Sequence, residues 1–185
     1  VLFPVGATSA PARGGTAFAL ADVMIPPRRI VAATDFSEPS RAAVIFAASL
    51  ARQCHATFYV MHALDPLLDA AARHAGLDLV ADTHEALQQF MATTSLGAGA
   101  VPLDEVATGA PADTIVDVAE RHLADVIVIG SHGMSGPQRL AFGSTTEAVL
   151  RRAGTSVLVV PPQWAPAHPG DPDLAGRSEE HTLNS

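Results

Sequence analysis

The sequence predicts an α/β fold: a single doubly wound five-stranded parallel sheet with helices on both faces. Three observations predict it. Four short β-branched runs, Arg29 to Thr34 (RIVAAT), Thr57 to His62 (TFYVMH), Val126 to Ile129 (VIVI) and Val157 to Val160 (VLVV), are apolar without alternation, as strands buried on both faces are. Between them lie segments whose apolar residues recur at helical spacing. Strand and helix alternate along the chain, and right-handed crossovers then put helices on both sides of one sheet.

After the first strand, Ser37 ahead of Glu38 and Pro39 supplies a helix start, a capping hydroxyl followed by a residue with preset φ. Ala43, Ala47, Leu50, Ala51 and Cys54 fall on one stripe at i, i+4, i+7, i+8 and i+11, and Cys54 there acts as a small buried hydrophobe. Residues 65–95 read as mostly helical, with Gly76 a point of division. The weaker alternation of Val101, Leu103 and Val106 supplies a fifth strand. Ala110-Pro111 before Asp113 opens the next helix, whose core stripe is Ile115, Val118, Ala119, His122 and Leu123. Gly143-Ser144-Thr145-Thr146 opens the last one.

A chain of 185 residues that is 48% apolar and 16% charged is long enough for one core and short for two. The expected organisation is an N-terminal extension over 1–23, one domain over 24–162 and a flexible tail over 163–185. Residues 177–185, RSEEHTLNS, resemble a frame-shifted translation of a sequencing-library adapter and carry no chemistry. The ordered pattern begins just after Met24, which is read as the natural start. No run of about 18 apolar residues crosses a bilayer and no secretory leader precedes Met24, so no membrane partner and a cytoplasmic location are expected.

The formal charge of −8 argues against a nucleic-acid partner, whose affinity depends on neutralising phosphates. Within 24–162, nine Arg against fourteen Asp and Glu still give −5. One cysteine excludes an internal disulfide and any multi-Cys metal site. All eleven basic residues are arginine, and the absence of lysine excludes a Walker A loop, a kinase strand lysine and Schiff-base chemistry. A phosphate ligand must be held by main-chain N–H groups, hydroxyls, arginine or a metal ion.

Ligands of such sheets bind outside the carboxyl ends of the strands. Two loops there stand out: Thr34-Asp35-Phe36-Ser37 after the first strand, and Gly130-Ser131-His132-Gly133-Met134-Ser135-Gly136 after the fourth, followed by Gly143-Ser144-Thr145-Thr146. Glycines permit close backbone approach, and a helix opening on Ser-Thr-Thr offers orphan N–H groups and hydroxyls to an anion. The pattern is a phosphate cradle without lysine.

Gly130-x-x-Gly133, then nine residues, then Gly143-Ser144 resembles the nucleotide signature of the ATP-binding universal stress proteins. VAATDFSEPS at 31–40 is similar to that family's opening strand, GAPADTIVDVAERHLADVIVIGSHG to the run before the signature, and GTSVLVVPP at 154–162 to the closing strand. The resemblance covers roughly 28–162. It implies a Rossmann-like sheet ordered 3-2-1-4-5, with both loops at the switch point between strands one and four. Carried over, it implies that Thr34 and Asp35 approach adenosine, that Ala63 and Ile129 line the adenine pocket, and that Gly130, His132 and Gly133 pass close to ribose and phosphates. Gly143, Ser144 and Thr145 then donate to the phosphates of ATP, with Mg²⁺ bridging phosphate oxygens and no dedicated protein ligands. Positions 134–142 carry one basic residue, Arg139, where the family often has more. The resemblance also implies a homodimer through the last strand, whose bare edge needs a partner.

Plainer readings accompany these. Asp35 at this spacing also caps the following helix through an Asx turn, and the two roles are compatible. Ser37 reads as a cap, His132 as a neutral loop histidine and Met134 as a loop residue without a role. His74 and His84, ten residues apart, point to different sides of one helix and make no metal pair. GxxGxxG after the fourth strand is not the GxGxxG of dinucleotide folds, and Gly133-Met134-Ser135-Gly136 is one residue short of a nucleophile elbow. The leading expectation is a nucleotide-dependent regulatory stress-response module. The alternatives are a slow ATPase or autophosphorylating enzyme using Ser144 or Thr145, and a nucleotide-free structural dimer.

Overall fold

The computed structural model describes residues 26–99, 101–132 and 142–164. Five strands form one parallel sheet in the order β3-β2-β1-β4-β5, the order that the resemblance implies. The elements run β1 (Arg29–Ala33), α1 (Glu38–Cys54), β2 (Thr57–Leu64), α2 (Pro66–His74), α3 (Leu79–Thr93), β3 (Leu103–Thr108), α4 (Pro111–Arg121), β4 (Val126–Gly130), α5 (Ser144–Arg152) and β5 (Ser156–Val160).

The unbroken apolar runs are explained by two cores. Ile30, Ala32, Val60 and Val128 face one side with the alanine-rich stripe of α1 and with Leu87 and Phe90 of α3. Val31, Ala33, Met61, Ile127 and Ile129 face the other with α4 and Val149 of α5. Successive strand residues point to opposite faces, so a strand covered twice is apolar at every position. Among the described residues no helix is long and apolar enough to cross a membrane.

Ser37 caps α1, accepting the Ser40 N–H, and His55 ends it in the left-handed conformation at φ 53°. Gly76, at φ +75°, divides the 65–95 segment into α2 and α3, so His74 and His84 lie on separate helices. Four expectations about packing are corrected. Cys54, the last residue of α1, is half-buried, because the buried stripe ends at Ala51. Leu123 is 69% exposed, since α4 stops at Arg121 and the chain turns through φ 51°. Val101 precedes β3 and is exposed.

His122 is on no core stripe either. It ends α4, its ring stacks on Tyr59 at 4.1 Å, and its Nε2 lies 2.5 Å from Glu105 Oε2; Arg121 also binds Glu105. On the opposite face of β3, Asp104 accepts from His84 at 2.9 Å and from Gln88 at 3.1 Å. Consecutive carboxylates thus tie this edge strand to the helices on both sides, and charge on an edge discourages pairing with another chain.

The amino ends of β1 and β4 are joined by Asp125, whose Oδ2 accepts the N–H groups of Arg28 at 2.7 Å and Arg29 at 2.9 Å. These bonds, aided by the two arginine charges, hold its carboxyl below the ordinary value of 3.8. A depressed carboxylate stabilises the fold above its unfolded pKa and ceases to as pH falls through its folded one. Urea midpoints at pH 7 and pH 3 test this: Asp125→Asn is expected to lower the midpoint modestly at pH 7, and that difference is expected to shrink at pH 3.

Candidate functional site

The tip of β1 is locked from three directions. The Thr34 N–H donates to Met61 O at 2.9 Å, and the Thr34 carbonyl accepts from His62 Nδ1 at 2.8 Å. Thr34 is 6% exposed, and its hydroxyl meets Ser40 Oγ at 2.9 Å and accepts the Phe36 N–H at 3.0 Å. Phe36 sits at φ 64°, a region an aromatic residue avoids. Its ring is held there by stacking on His62 at 4.5 Å and by an edge contact with Phe90 at 5.7 Å. Asp35 Oδ1 accepts the Ser37 N–H at 3.1 Å and the Ser37 hydroxyl. This is the Asx turn, and it aims a half-exposed carboxylate from a fixed backbone.

The tip of β4 meets the same region. Gly130 is buried beside the first turn of α1: a Cβ there would lie 3.1 Å from Pro39 O and 3.3 Å from His132 O. Glycine is what lets the strand end come so close. Ser131 donates its N–H to Val160 O at 2.9 Å and accepts the Gly143 N–H at 2.8 Å, which closes the loop between them at its base. His132, half-buried, has Nδ1 3.1 Å from Ser131 Oγ.

The start of α5 is fastened to this strand end by the Thr146 hydroxyl, which donates to Gly130 O at 2.8 Å. Gly143 is the N-cap, at φ −69° and ψ 157°, and as a glycine it makes no side-chain capping bond of its own. Among the described residues no side chain accepts the first-turn N–H groups of α5, and with the helix dipole they favour an anion. Ser144 is exposed and Thr145 half-buried, while Thr146 is spent on the strand.

Thr34, Asp35, Gly130, His132, Gly143, Ser144 and Thr145 thus gather at the carboxyl ends of adjacent strands. Ala63 lies near the same end of β2, half-buried against the α4 core. Ile129 is 6% exposed, its side chain committed to that core. Gly133 and Arg139 lie outside the described residues. Sequence reasoning missed His62 and Ser40, named Phe36 only as part of its loop, and offered the Thr146 hydroxyl to a ligand where it is bonded to the strand end. Register supplies the signal for His62: Ala33 pairs with Met61, so the next residue on each strand meets across the gap. The inward hydroxyl of Ser-Thr-Thr depends on the phase of α5, which the tripeptide does not set. Among the described residues no group of three or more His, Cys, Asp or Glu is placed to hold a metal ion.

Comparison with known proteins agrees with this architecture. The profile described as Universal stress protein family matches residues 26–161. Universal stress protein MJ0531 of Methanocaldococcus jannaschii is 31% identical over 140 residues, covering 72% of this chain and 81% of that protein. Among solved structures, universal stress protein UspA from Lactobacillus plantarum superposes with a TM-score of 0.55 at 33% identity, covering 71% of this chain and 96% of its own. A universal stress protein solved in complex with cAMP gives 0.54 at 29% identity, covering 74% and 98%. With the profile spanning the whole sheet and both loops, the chain belongs to the universal stress protein family.

Proposed function

We propose that the chain is an adenine-nucleotide-binding regulatory module, in which ATP with Mg²⁺ occupies the crevice between the tips of β1 and β4 and its occupancy shifts conformation or partner choice. One observation carries the reading: the close approach of Gly130 to Pro39 and the Ser131–Gly143 bond set the Asp35 loop beside the start of α5. A fixed carboxylate suits the ribose hydroxyls or the exocyclic amine of adenine, and the amides of α5 suit phosphates. That a family member at 29% identity has been solved with cAMP supports an adenine nucleotide in particular. Without lysine, phosphate affinity rests on main-chain N–H groups, hydroxyls and the ion, which phosphate oxygens themselves would carry. A cytoplasmic module that dimerises through the edge strand β5 completes the reading.

A second reading, slow hydrolysis or autophosphorylation, is favoured by one feature: Ser144 stands exposed at the helix start. It predicts phosphate release or phosphoprotein that Ser144→Ala removes even when nucleotide is supplied at saturation.

Calorimetry and thermal shift with Mg-ATP, AMP and cAMP test the leading reading, since occupancy at 100 times Kd stabilises a fold by about 2.7 kcal/mol. The informative variant is Gly143→Val. Its backbone is extended, at φ −69° and ψ 157°, which valine adopts readily, so helix and strand content should persist while the added side chain obstructs the amides. Binding is expected to vanish. No stabilisation of the unsubstituted chain by any of the three nucleotides, or unchanged affinity in the variant, rejects the proposal.

A further inference from the structure

Helix α2 is inverted for an element of this fold. It buries a carboxylate, Asp69 at 4% exposed, and presents Leu67 and Leu68 at 79% and 60%, with Leu77 just beyond it at 59%. Asp69 pairs with Arg73 at 3.1 Å. The helix leans chiefly on α3 and not on the sheet, so its leucines contribute little to the core. Exposed apolar side chains along a helix mark a site of association. The local charge narrows the partner. Residues 65–85 contain Asp65, Asp69, Asp78, Asp82 and Glu85 against one basic residue, Arg73, a net −4 out of the chain's −8. A second copy would bring the same negative charge, and an anionic lipid surface would be repelled in the same way.

We infer that α2, the turn after it and the start of α3 form a docking face for a basic amphipathic helix of another protein, leucines meeting its apolar stripe and the exposed carboxylates Asp65, Asp78, Asp82 and Glu85 its arginine or lysine residues. The partner helix is recognised through its apolar stripe, as amphipathic helices commonly are, with complementary charge setting selectivity. Because α2 begins just beyond the carboxyl end of β2, the docked helix lies at the end of the sheet that carries the candidate nucleotide site. The inference itself does not require a bound nucleotide.

The test uses a Leu/Lys peptide with leucines at i, i+3, i+4 and i+7 and a Leu/Glu counterpart, titrated by fluorescence anisotropy against the full chain. The Leu/Lys peptide is expected to bind and the Leu/Glu peptide not to. A Leu67→Ser/Leu68→Ser variant is expected to bind about tenfold or more weakly. Leu123→Ser, which removes a leucine 69% exposed past the end of α4, is expected to bind as the unsubstituted chain does, and circular dichroism confirms that both variants are folded. Failure of the Leu/Lys peptide to bind, equal binding by the double variant, or an equal loss in Leu123→Ser overturns the inference, charge alone or no face at all then being responsible. Binding of the Leu/Glu peptide overturns it too. So does a concentration-dependent dimer formed by the unsubstituted chain and abolished in the double variant, which would put a second copy on the face.

Discussion

Gly130→Val is expected to be folded but destabilised, with nucleotide affinity lowered by more than about tenfold, or 1.4 kcal/mol. The first added carbon would lie 3.1 Å from Pro39 O, 3.3 Å from Pro39 C and 3.3 Å from His132 O. All three obstacles are main chain, so none can rotate away, and either the β4 tip or the first turn of α1 must shift. Overpacking of this kind costs about 1–3 kcal/mol, with alanine at the low end and valine at the high end. For a domain of this size the upper figure is a fall of roughly 6–12 °C in Tm. The displacement is transmitted to the site. Thr146 bonds to Gly130 O and Gly143 bonds to Ser131 O, so moving the strand end moves the start of α5 with it. Gly154→Ala is the control, because a Cβ there meets nothing within 4 Å; it should alter neither property. Scanning calorimetry and Mg-ATP titration of Gly130→Ala, Gly130→Val and Gly154→Ala separate the outcomes. Were Gly130→Val to melt and bind as the unsubstituted chain does, the two tips would not be packed as described and the crevice between them would not be the site.

Much of the fold is legible in the sequence because burial on both faces leaves a plain mark. Ile30, Val31 and Ala32 are each wholly buried yet belong to two different cores, and only a doubly covered strand asks for that. Strand order is another matter. Val31 pairs with Ile127, almost a hundred residues away, and no local preference encodes such a pairing; it came through the resemblance. Helical periodicity misleads where a helix does not face the core. α2 was legible as a helix, but its burial of Asp69 and exposure of Leu67 reverse the usual assumption. At the site, Gly130 and Gly143 announce themselves by residue type and spacing. Phe36 does not: nothing in a lone phenylalanine signals φ 64°, and the contacts that impose it come from β2 and α3.

Phe36 gives the second large effect, and the order of two substitutions there is its signature. Phe36→Ala removes the ring from His62 and Phe90. The ring is only half-buried, so the loss should be about 2 kcal/mol, below the 3–5 kcal/mol of a fully buried phenylalanine. Alanine keeps a Cβ, however, and with it the cost of the left-handed backbone, of order 1–2 kcal/mol. Glycine loses the same ring and sheds that cost. At an ordinary position glycine is less stable than alanine by roughly 0.5–1 kcal/mol; here Phe36→Gly should equal or exceed Phe36→Ala in stability. Both should weaken nucleotide binding, because Asp35 precedes the residue whose ring fixes the loop, and the Thr34 hydroxyl that receives the Phe36 N–H also holds Ser40. Urea unfolding of the two variants, alongside Mg-ATP titration, measures both quantities. If glycine proves the less stable by its usual margin, the loop relaxes freely in the absence of the ring, and the rigid presentation of Asp35 on which the site depends is not a property of the backbone.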